Sequence, residues 1–358
     1  MVSDSLLFSY DNVEYHRAVP NSIGLVPATS QKMLRKSLSL SPDTIMYDLE
    51  DSVAAHKKAE ARLALSSFLS PDAAPSPSSS CAFQNTKIKP EISIRINAPS
   101  TAYALDDLTE LLRHGEHNID AVVVPKVDTA ADLHFVTDVI RQCLPKRHPS
   151  DGSAAPNQKP PIKILALIES ARAITNLREI CTASPYLDGL IFAAEDFSLS
   201  LSLTRTPSLT EMLFARQSLV TYANAYGLPS IVDLVHTGFS KHPVGSPENK
   251  DDPATLSLLS ECQRGKEMGF NGKQCIHPSQ VSLVQGAFSP AEREVEWAVR
   301  IVVGDEKASK SGRGAWTMDG KMIDAPVVGR ARNIVATAEK CGMDVQELRE
   351  KWAGQEAT

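Results

Sequence analysis

Two carboxylates stand where long apolar runs end. Glu169 directly follows the run IKILALI at residues 162–168, and Asp196 lies shortly after GLIFA at residues 189–193. A carboxylate beside a buried strand is costly unless a cation or hydrogen bonds match it. Together the two would form a hard-oxygen site that suits Mg²⁺, which keeps several waters and completes its shell with substrate oxygens. The alternative is that each carboxylate stabilises the N-terminus of the helix that follows it.

A third charged group, Arg95, lies within the apolar segment ISIRINAP at residues 92–99. Because a guanidinium binds a planar carboxylate through two hydrogen bonds, Arg95 is predicted to hold a substrate carboxylate. The alternative is a buried ion pair of Arg95 with Asp48 or Glu50, which end an earlier apolar run. Alternation along a strand puts Asp48 and Glu50 on one side, as partners of Arg95 or of water around a metal ion. Both are therefore candidate substrate-binding residues.

Lys126 follows Pro125 at the end of the run AVVV and is also assigned to substrate binding. A Schiff-base role for its amine and an ordinary turn at the proline are the two alternatives. His236 and His277 follow the last two apolar runs, and each is interpreted as a structural histidine or a site residue. No Gly-x-Ser-x-Gly motif is present and no cysteine stands beside a plausible histidine base, so acyl-enzyme chemistry is not predicted.

These charged groups accompany eight short runs that are rich in isoleucine and valine and mostly unbroken by polar residues. Unbroken runs of this kind are typical of strands buried on both faces of a parallel sheet. Helix-like segments separate them, as in repeated βαβ units. Eight successive units predict an α/β fold, a (β/α)8 TIM barrel, in which the carboxyl ends of the strands form the active site. The runs are Ser22–Val26, Thr44–Leu49, Ile92–Ile96, Ala121–Val124, Ile162–Ile168, Gly189–Ala193, Ser230–Val235 and Lys273–Ile276.

A doubly wound open sheet is the structural alternative to the barrel. Against it, the first predicted strand–helix turn, PATSQK, contains no glycine, and neither G-x-G-x-x-G nor a Walker A motif occurs. The helix-like segments between the runs include two that end at a glycine, a typical helix stop. They are residues 30–39, 56–69, 104–113, 130–142, 171–183, 210–226 and 254–268, and two more lie near the C-terminus at residues 290–303 and 324–340.

Loop-like segments and the C-terminal region set the expected domain organisation. Residues 70–90, 144–161 and 238–253 are rich in proline, serine and other polar residues, which predicts surface insertions. We expect an N-terminal extension at residues 1–21, the barrel at residues 22–288, and a C-terminal helical tail at residues 289–358 that packs on the barrel or on an adjacent subunit.

The composition excludes several classes of protein. The 358 residues carry 37 Lys+Arg and 43 Asp+Glu, a formal charge of −6, which argues against a nucleic-acid-binding protein. No apolar run reaches the roughly 18 residues of a membrane span, so no membrane partner is expected. The six cysteines are scattered and predict free thiols in a reducing compartment. The acidic, arginine-poor start predicts the cytoplasm, with the mitochondrial matrix as the alternative.

Seven segments of the chain occur in a characteristic order. They are YDLEDSVAAHKKAEAR, ISIRINAP, VVPKVD, ALIESARAITNL, IFAAEDF, MGFNGKQCIHPSQ and KMIDAPVVGRARNIV. With these segments, the chain from Ser22 to Ala338 resembles the citrate lyase β-subunit-like branch of the HpcH/HpaI aldolase superfamily. The last segment resembles the end of citramalyl-CoA and malyl-CoA lyases. The resemblance is specific for the superfamily and much less specific for the substrate.

The resemblance implies a TIM barrel that binds Mg²⁺ through Glu169 and Asp196 and holds the carboxylate of a 2-keto acid, pyruvate or glyoxylate, with Arg95. It also implies that Asp324 is the acid/base and reaches an active site of an adjacent subunit in a homotrimer or hexamer. From the residues alone, Asp324 is interpreted as the N-cap of the helix that follows, with Pro326 near its first turn.

The sequence departs from the family pattern at two places. Close relatives in the family have a pair of arginines before the first strand, and the corresponding residues here are Pro20 and Asn21. The predicted coenzyme A contacts are therefore Arg17 and Asn21. After the seventh strand the family tends to read Tyr-x-Asp-Phe, whereas residues 236–239 read HTGF, so that Gly238 takes the place of an acidic residue. This loop is expected at the catalytic rim, where a change affects the choice of substrate.

The leading hypothesis is an Mg²⁺-dependent carbon–carbon lyase that cleaves a short 3-hydroxyacyl-CoA, such as citramalyl-CoA, to acetyl-CoA and a 2-keto acid. This cleavage releases an enolate, whose charge a metal ion can stabilise without a Schiff base. The alternatives are a malate synthase-like condensation with thioester hydrolysis, a CoA-independent pyruvate aldolase, and a non-catalytic paralogue that binds acyl-CoA. The presence of Arg95, Glu169, Asp196 and Asp324 argues against the paralogue.

Overall fold

A computed structural model describes most of the chain. The described residues form two compact units, one that ends at Phe288 and one that starts at Ser289. Arg17 and Asn21, the predicted coenzyme A contacts, lie outside the described residues, as do parts of the insertions predicted at 70–90 and 144–161. The structure describes residues 22–70, 77, 89–113, 118–147, 159–242 and 244–356.

Eight parallel strands form a closed barrel in chain order, and the predicted TIM-barrel fold is confirmed. The open-sheet alternative is wrong, because β8 pairs with β1 and leaves no sheet edge. All eight predicted runs contain a strand. The strands are β1 Ser22–Pro27, β2 Thr44–Asp48, β3 Glu91–Arg95, β4 Ala121–Val124, β5 Lys163–Ile168, β6 Leu187–Phe192, β7 Ser230–Asp233 and β8 Gly272–Cys275.

The strands are apolar on both faces because both faces are buried. One face fills the interior of the barrel, and the other packs against the surrounding helices in a larger apolar cluster. This double burial explains why the strand sequences are unbroken apolar runs rather than alternating ones. The interior cluster consists of Ile23, Met46, Val123, Leu165, Leu167, Ile191 and Val232.

A polar group closes the barrel interior at the amino ends of the strands. Lys163, the first residue of β5, places its ammonium 2.9 Å from Glu91 Oε1 and 3.2 Å from Asp188 Oδ2. The Thr44 hydroxyl donates to Glu91 Oε2 at 3.4 Å. These pairs neutralise the charges at the end opposite the strand carboxyl ends, so this end contributes to stability.

Eleven helices accompany the described part of the barrel. Helix formation is confirmed in each of the seven predicted segments, but 171–183 is broken at Asn176, whose side-chain amide donates to the carbonyl oxygen of Asp128 at 2.9 Å. Three helices, α7, α9 and α11, were not predicted, and α9 lies in the segment 238–253 that was expected to be a loop. The helices are α1 Gln31–Ser37, α2 Lys58–Leu69, α3 Tyr103–Leu112, α4 Ala130–Cys143, α5 Ala171–Thr175, α6 Leu177–Cys181, α7 Ala194–Leu201, α8 Leu213–Ala225, α9 Pro247–Lys250, α10 Pro253–Met268 and α11 Pro278–Phe288.

The C-terminal unit has its own apolar core. Both predicted helices are present, but the unit also contains a two-stranded antiparallel hairpin and a last short helix that were not predicted. Trp316 fits against Gly304, where an added Cβ would lie 2.3 Å from the indole ring. The elements are α12 Glu292–Lys310, β9 Trp316–Met318, β10 Lys321–Ile323, α13 Ala325–Lys340 and α14 Val345–Lys351. Among the described residues, no helix is both long and apolar enough to cross a membrane.

A buried ionic network joins β7 and β8 to the helices outside them. Asp233 accepts two hydrogen bonds from the fully buried Arg216 of α8, at 3.0 and 2.6 Å. Its neighbour across the ladder is Lys273, whose ammonium lies 3.1 Å from Glu261 Oε2 of α10. Arg205 Nη2 also lies 3.2 Å from Glu261. Charges that burial would otherwise penalise are thus paired with one another.

We expect Glu261→Gln to lower the free energy of unfolding at pH 7 by about 3 kcal/mol, because the buried Lys273 loses the nearer of its two carboxylate partners and keeps only Asp233, 3.9 Å away. Burial alone would raise the pKa of Glu261, but the hydrogen bond with His236 and the charges of Lys273 and Arg205 hold this pKa at about 2. The stabilisation is therefore complete above the unfolded-state pKa of about 4.3 and is lost as the pH falls below it. Urea denaturation at a series of pH values measures both effects.

The control is Glu267→Gln, which makes the same charge change at an exposed position of the same helix. It should change stability little. A difference between wild type and Glu261→Gln that stays constant from pH 7 down to pH 3 would show that the carboxylate charge does not contribute.

Candidate active site

The carboxyl ends of β2 to β6 bring the predicted charged residues together. Asp48 and Arg95 end β2 and β3 and are direct partners in the strand register. Lys126 follows β4, Glu169 follows β5, and Asp196 lies in the first turn of α7 after β6. Together with Glu50 these five residues form one connected set of ion pairs and hydrogen bonds. These residues therefore lie near one another at the strand ends, where the sequence predicted them, and their roles stay predictions.

Arg95 is almost completely buried and engaged by Asp48. Its Nε and Nη2 donate to the two carboxylate oxygens of Asp48 at 2.7 and 2.8 Å, and its Nη1 lies 3.2 Å from Glu50. Burial would raise the pKa of Asp48, but the bonds and charge of Arg95 outweigh it and lower this pKa. The ion pair that the sequence left open as an alternative is thus present. It fixes the plane of the guanidinium, and the contact with a substrate carboxylate stays a prediction.

Glu50 lies between two cations. Its Oε2 faces Arg95, and its Oε1 accepts from the Lys126 ammonium at 2.5 Å. Burial raises the pKa of Glu50 although both cations oppose this effect. The sequence left open whether Asp48 and Glu50 are partners of Arg95 or of water around a metal ion. In the structure both carboxylates contact Arg95. Their contact with substrate is not tested by these bonds.

Lys58, which the sequence analysis missed, fixes the segment that carries Glu50. Its ammonium donates to the carbonyl oxygens of Leu49 and Glu50 at 2.9 and 2.7 Å. Burial lowers the pKa of Lys58 although nearby carboxylates oppose this effect. The signal was the position of this lysine on the same helix stripe as the buried Ala61 and Leu65. A lysine on the buried face of α2 requires a buried partner.

Lys126 occupies a strained backbone position at the centre of the site. Its φ is +52°, in the left-handed region that non-glycine residues rarely adopt. In this conformation its backbone N–H donates to Glu169 at 2.6 Å, while its ammonium reaches Glu50 and lies 3.8 Å from Asp196. Burial would lower the pKa of Lys126, but Glu50 and the other carboxylates outweigh it and raise this pKa. The Schiff-base alternative is therefore disfavoured, because a nucleophilic lysine needs a lowered pKa.

Glu169 and Asp196 form a carboxylate pair that suits a divalent cation. Burial and a hydrogen bond with Asp196 raise the pKa of Glu169 to about 8, so the pair retains a proton where no cation is bound. Among the described residues no three His, Cys, Asp or Glu side chains are grouped as metal ligands. Two carboxylates without further protein ligands fit Mg²⁺, which keeps waters and accepts substrate oxygens, better than they fit zinc. The residues present therefore fit the magnesium site that the sequence predicted.

A cleft of about 500 Å³ opens beside this pair. Its charged lining includes three residues that were not predicted: Asp128 in the loop after β4, Asp132 of α4 and Arg172 of α5. Ser170 and Thr129 are among its hydroxyl groups. The Ser170 hydroxyl caps α5 and also donates to Asp128. The charged residues of the lining are Asp128, Asp132, Glu169, Asp196, Lys126 and Arg172.

Both histidines have structural partners. His236 is buried, and its Nδ1 lies 3.1 Å from Glu261. The ring of His277 stacks on Phe239 at a centroid distance of 4.3 Å, and its Nδ1 is hydrogen-bonded to Ser279. These contacts favour the interpretation of both residues as structural histidines. The absence of a side chain at Gly238 also has a local reason, because a Cβ at this position would lie only 3.1 Å from His236 Nε2.

Asp324 is the N-cap of α13 in the C-terminal unit. Its Oδ1 accepts a hydrogen bond from the backbone N–H of Val327 at 3.3 Å, and Pro326 lies in the first turn. The cap that the residues alone predicted is thus present. The acid/base role implied by the resemblance stays a prediction, since capping one amide leaves the second carboxylate oxygen available.

Comparison with known proteins identifies the family. Residues 22–278 match the family described as HpcH/HpaI aldolase/citrate lyase. The chain belongs to this family. Human mitochondrial citramalyl-CoA lyase is 30% identical over 347 residues, which are 94% of this chain and 91% of that protein. The citrate lyase β subunit of Haemophilus influenzae is 32% identical over 323 residues, 89% of this chain and 96% of that subunit.

One solved structure extends the comparison to bound ligands. It is the crystal structure of CitE from Mycobacterium tuberculosis in complex with magnesium, acetoacetate and coenzyme A. It is 27% identical to this chain, has a TM-score of 0.63, and covers 90% of this chain and 98% of its own. The family resemblance drawn from the sequence motifs is confirmed by these matches.

The strained backbone of Lys126 leads to a prediction about glycine. We expect Lys126→Gly to be more stable than Lys126→Ala by about 1 kcal/mol, because only glycine adopts this φ without strain. Both variants lose the ammonium, so their difference reports the backbone alone. Urea denaturation measures both free energies of unfolding.

Gln263, exposed within α10, provides the matched comparison. There Gln263→Ala should be more stable than Gln263→Gly, also by about 1 kcal/mol, because the backbone is helical. The same order at both positions, with alanine the more stable, would contradict a strained Lys126.

Proposed function

We propose that this chain is an Mg²⁺-dependent carbon–carbon lyase that cleaves a short 3-hydroxyacyl-CoA, with citramalyl-CoA as the first candidate, to acetyl-CoA and a 2-keto acid. The observation that carries the proposal is the Glu169–Asp196 pair at the carboxyl end of the barrel, which Lys126 and Glu50 connect to Arg95. The relatives named citramalyl-CoA lyase and citrate lyase β subunit support the reaction class. The CitE complex supports magnesium and coenzyme A as ligands.

Glu169 and Asp196 would hold the magnesium ion. When bound, magnesium supplies a Lewis acid that withdraws charge from the hydroxyl or keto oxygen at the bond to be cleaved. The Lys126 backbone N–H keeps Glu169 oriented toward Asp196, and the Lys126 ammonium offsets part of the charge of Asp196. The metal-binding oxygens are therefore held in place before substrate arrives, which limits reorganisation during the reaction.

Arg95 would hold the carboxylate of the keto acid. Asp48 fixes two of its nitrogens, so the group is oriented without the freedom of a surface arginine. Asp48, Glu50 and Lys126 would bind the substrate next to Arg95 through hydrogen bonds and charge. Positioning of this kind lowers the entropy that must be lost on the way to the transition state.

Asp324 would exchange the proton at the enolate carbon of acetyl-CoA. Its carboxylate is partly exposed at the start of α13. One oxygen caps the helix, and the other would accept or donate the proton. We propose that it acts in an active site of an adjacent subunit, in a homotrimer or hexamer. Arg17 and Asn21 are the proposed contacts for the phosphates of coenzyme A.

The compartment is part of the proposal as well. We propose the cytoplasm, with the mitochondrial matrix as the alternative, since the human relative is named as mitochondrial. Immunofluorescence of the tagged full-length protein distinguishes the two.

Turnover is expected to depend on magnesium and on Asp196. Acetyl-CoA should be released from racemic citramalyl-CoA with Mg²⁺ and not with EDTA. Asp196→Ala should lose both turnover and the heat of Mg²⁺ binding in calorimetry, because one of the two carboxylate ligands is gone. Glu195→Ala is the matched control, since the neighbouring carboxylate pairs with Arg205.

Other products of these assays would favour the alternative functions. Free coenzyme A in place of acetyl-CoA would favour the condensing enzyme with thioester hydrolysis. Pyruvate released only from a CoA-free hydroxy-keto acid would favour the aldolase. Folded protein that binds Mg²⁺ and acyl-CoA but turns over none of these substrates would favour the non-catalytic paralogue.

Asp324→Ala should retain Mg²⁺ binding and lose at least a hundredfold in kcat, which is about the contribution of a general acid or base. Asp344→Ala is the matched control, because Asp344 caps α14 of the same unit through a 3.0 Å bond to Glu347 N–H. Both variants lose a cap worth about 1 kcal/mol. Equal activities of the two variants would make Asp324 a helix cap and no more.

Mixing subunits tests where Asp324 acts. An adjacent-subunit role requires that inactive Asp324→Ala and inactive Asp196→Ala regain part of the activity when they are unfolded and refolded together. Absence of any recovery in oligomers shown to be mixed would place Asp324 in the site of its own subunit.

A further inference from the structure

Arg172 brings a second positive charge to the cleft. It lies in the first turn of α5, shortly after Glu169, and lines the cleft together with Lys126, Asp128 and Asp196. The side chains of Arg172 and Lys126 are both exposed, but the ammonium of Lys126 is already bound to Glu50. A ligand that occupies the cleft beside the carboxylate pair therefore lies near Arg172.

The other charged groups of the cleft already have partners. Asp128 accepts from the Ser170 hydroxyl, and Asp132 closes a capping box with Thr129 at the start of α4. Across the part of the chain that the structure describes, the guanidinium of Arg172 makes neither an ion pair nor a hydrogen bond, although its backbone carbonyl accepts from the Thr175 hydroxyl at 2.8 Å. A guanidinium beside four carboxylates that pairs with none of them is available for an anion from outside.

The turn that carries Arg172 is fixed in place. The Ser170 hydroxyl accepts from Ala173 N–H at 3.0 Å while donating to Asp128, and Asn176 donates to the Asp128 carbonyl at 2.9 Å. These bonds attach α5 to the loop after β4 at both of its ends. The base of the arginine side chain is therefore rigid, and only the side chain itself must be ordered when a ligand binds.

We propose that Arg172 binds an anionic group of the substrate, a carboxylate or phosphate, at the entrance of the cleft. This inference rests on the proposed function, in which the substrate is a multiply charged anion. The four carboxylates of the lining repel such a ligand, and Lys126 is already neutralised by Glu50. A guanidinium that can bind two oxygens of one anionic group offsets this repulsion where the ligand enters.

Calorimetry on Arg172→Gln and Arg172→Lys tests the proposal, with two ligands used separately, coenzyme A and pyruvate, each at saturating Mg²⁺. Arg172→Gln should bind one of them about tenfold or more weakly, the usual scale for a charged hydrogen bond. Arg172→Lys should bind with intermediate affinity, because lysine keeps the charge but loses the two-oxygen geometry. Arg178→Gln is the matched control, since Arg178 is exposed on α6 and is not part of the cleft lining.

The ligand affected identifies the anionic group. Weaker binding of coenzyme A alone assigns a phosphate, and weaker binding of pyruvate alone assigns a carboxylate. Unchanged affinities for both ligands, or equal losses in Arg172→Gln and Arg178→Gln, overturn the proposal. Wild-type protein that binds neither ligand would instead contradict the proposed function, and Arg172 as its anion contact would be rejected with it.

Discussion

Carboxylates gathered at one end of a barrel repel one another unless cations lie beside them. This constraint shapes the site. Arg95 and Lys126 come from the ends of β3 and β4, and each contacts carboxylates that follow another strand. The ion pairs therefore tie neighbouring strand ends together while they neutralise charge. Loss of Arg95 would leave the buried Asp48 without its cation, which is one of the more destabilising changes a protein interior can suffer.

Neutralisation is uneven across this end of the barrel. Asp48 and Glu50 lie directly against Arg95. Glu169 accepts a hydrogen bond from the backbone N–H of Lys126, and Asp196 lies 3.8 Å from the Lys126 ammonium. Burial and the hydrogen bond with Asp196 raise the pKa of Glu169, and the N–H and charge of Lys126 offset this effect only in part. A divalent cation would supply the missing charge at this pair. Structural ion pairing thus accounts for one half of the carboxylates, and the proposed metal site accounts for the other half.

Much of the barrel could be predicted because double burial leaves a strong signal in the sequence. A strand covered on both faces must be apolar throughout, so each of the eight runs was visible. The C-terminal hairpin was not, because its three-residue strands are too short for a periodic pattern. The break at Asn176 was missed for another reason, since it depends on a hydrogen bond to Asp128, a residue distant in sequence.

The sequence by itself determined the order of the strands and which residue types stand at their carboxyl ends, because strand burial and chain connectivity are local properties. It also carried the motifs of the family. Tertiary structure alone decided how the charges are paired: Arg95 with Asp48, and Lys126 in a left-handed turn between Glu50 and Glu169. Which carboxylate meets which cation depends on distances across the barrel rim, and a linear pattern of charged residues does not contain those distances.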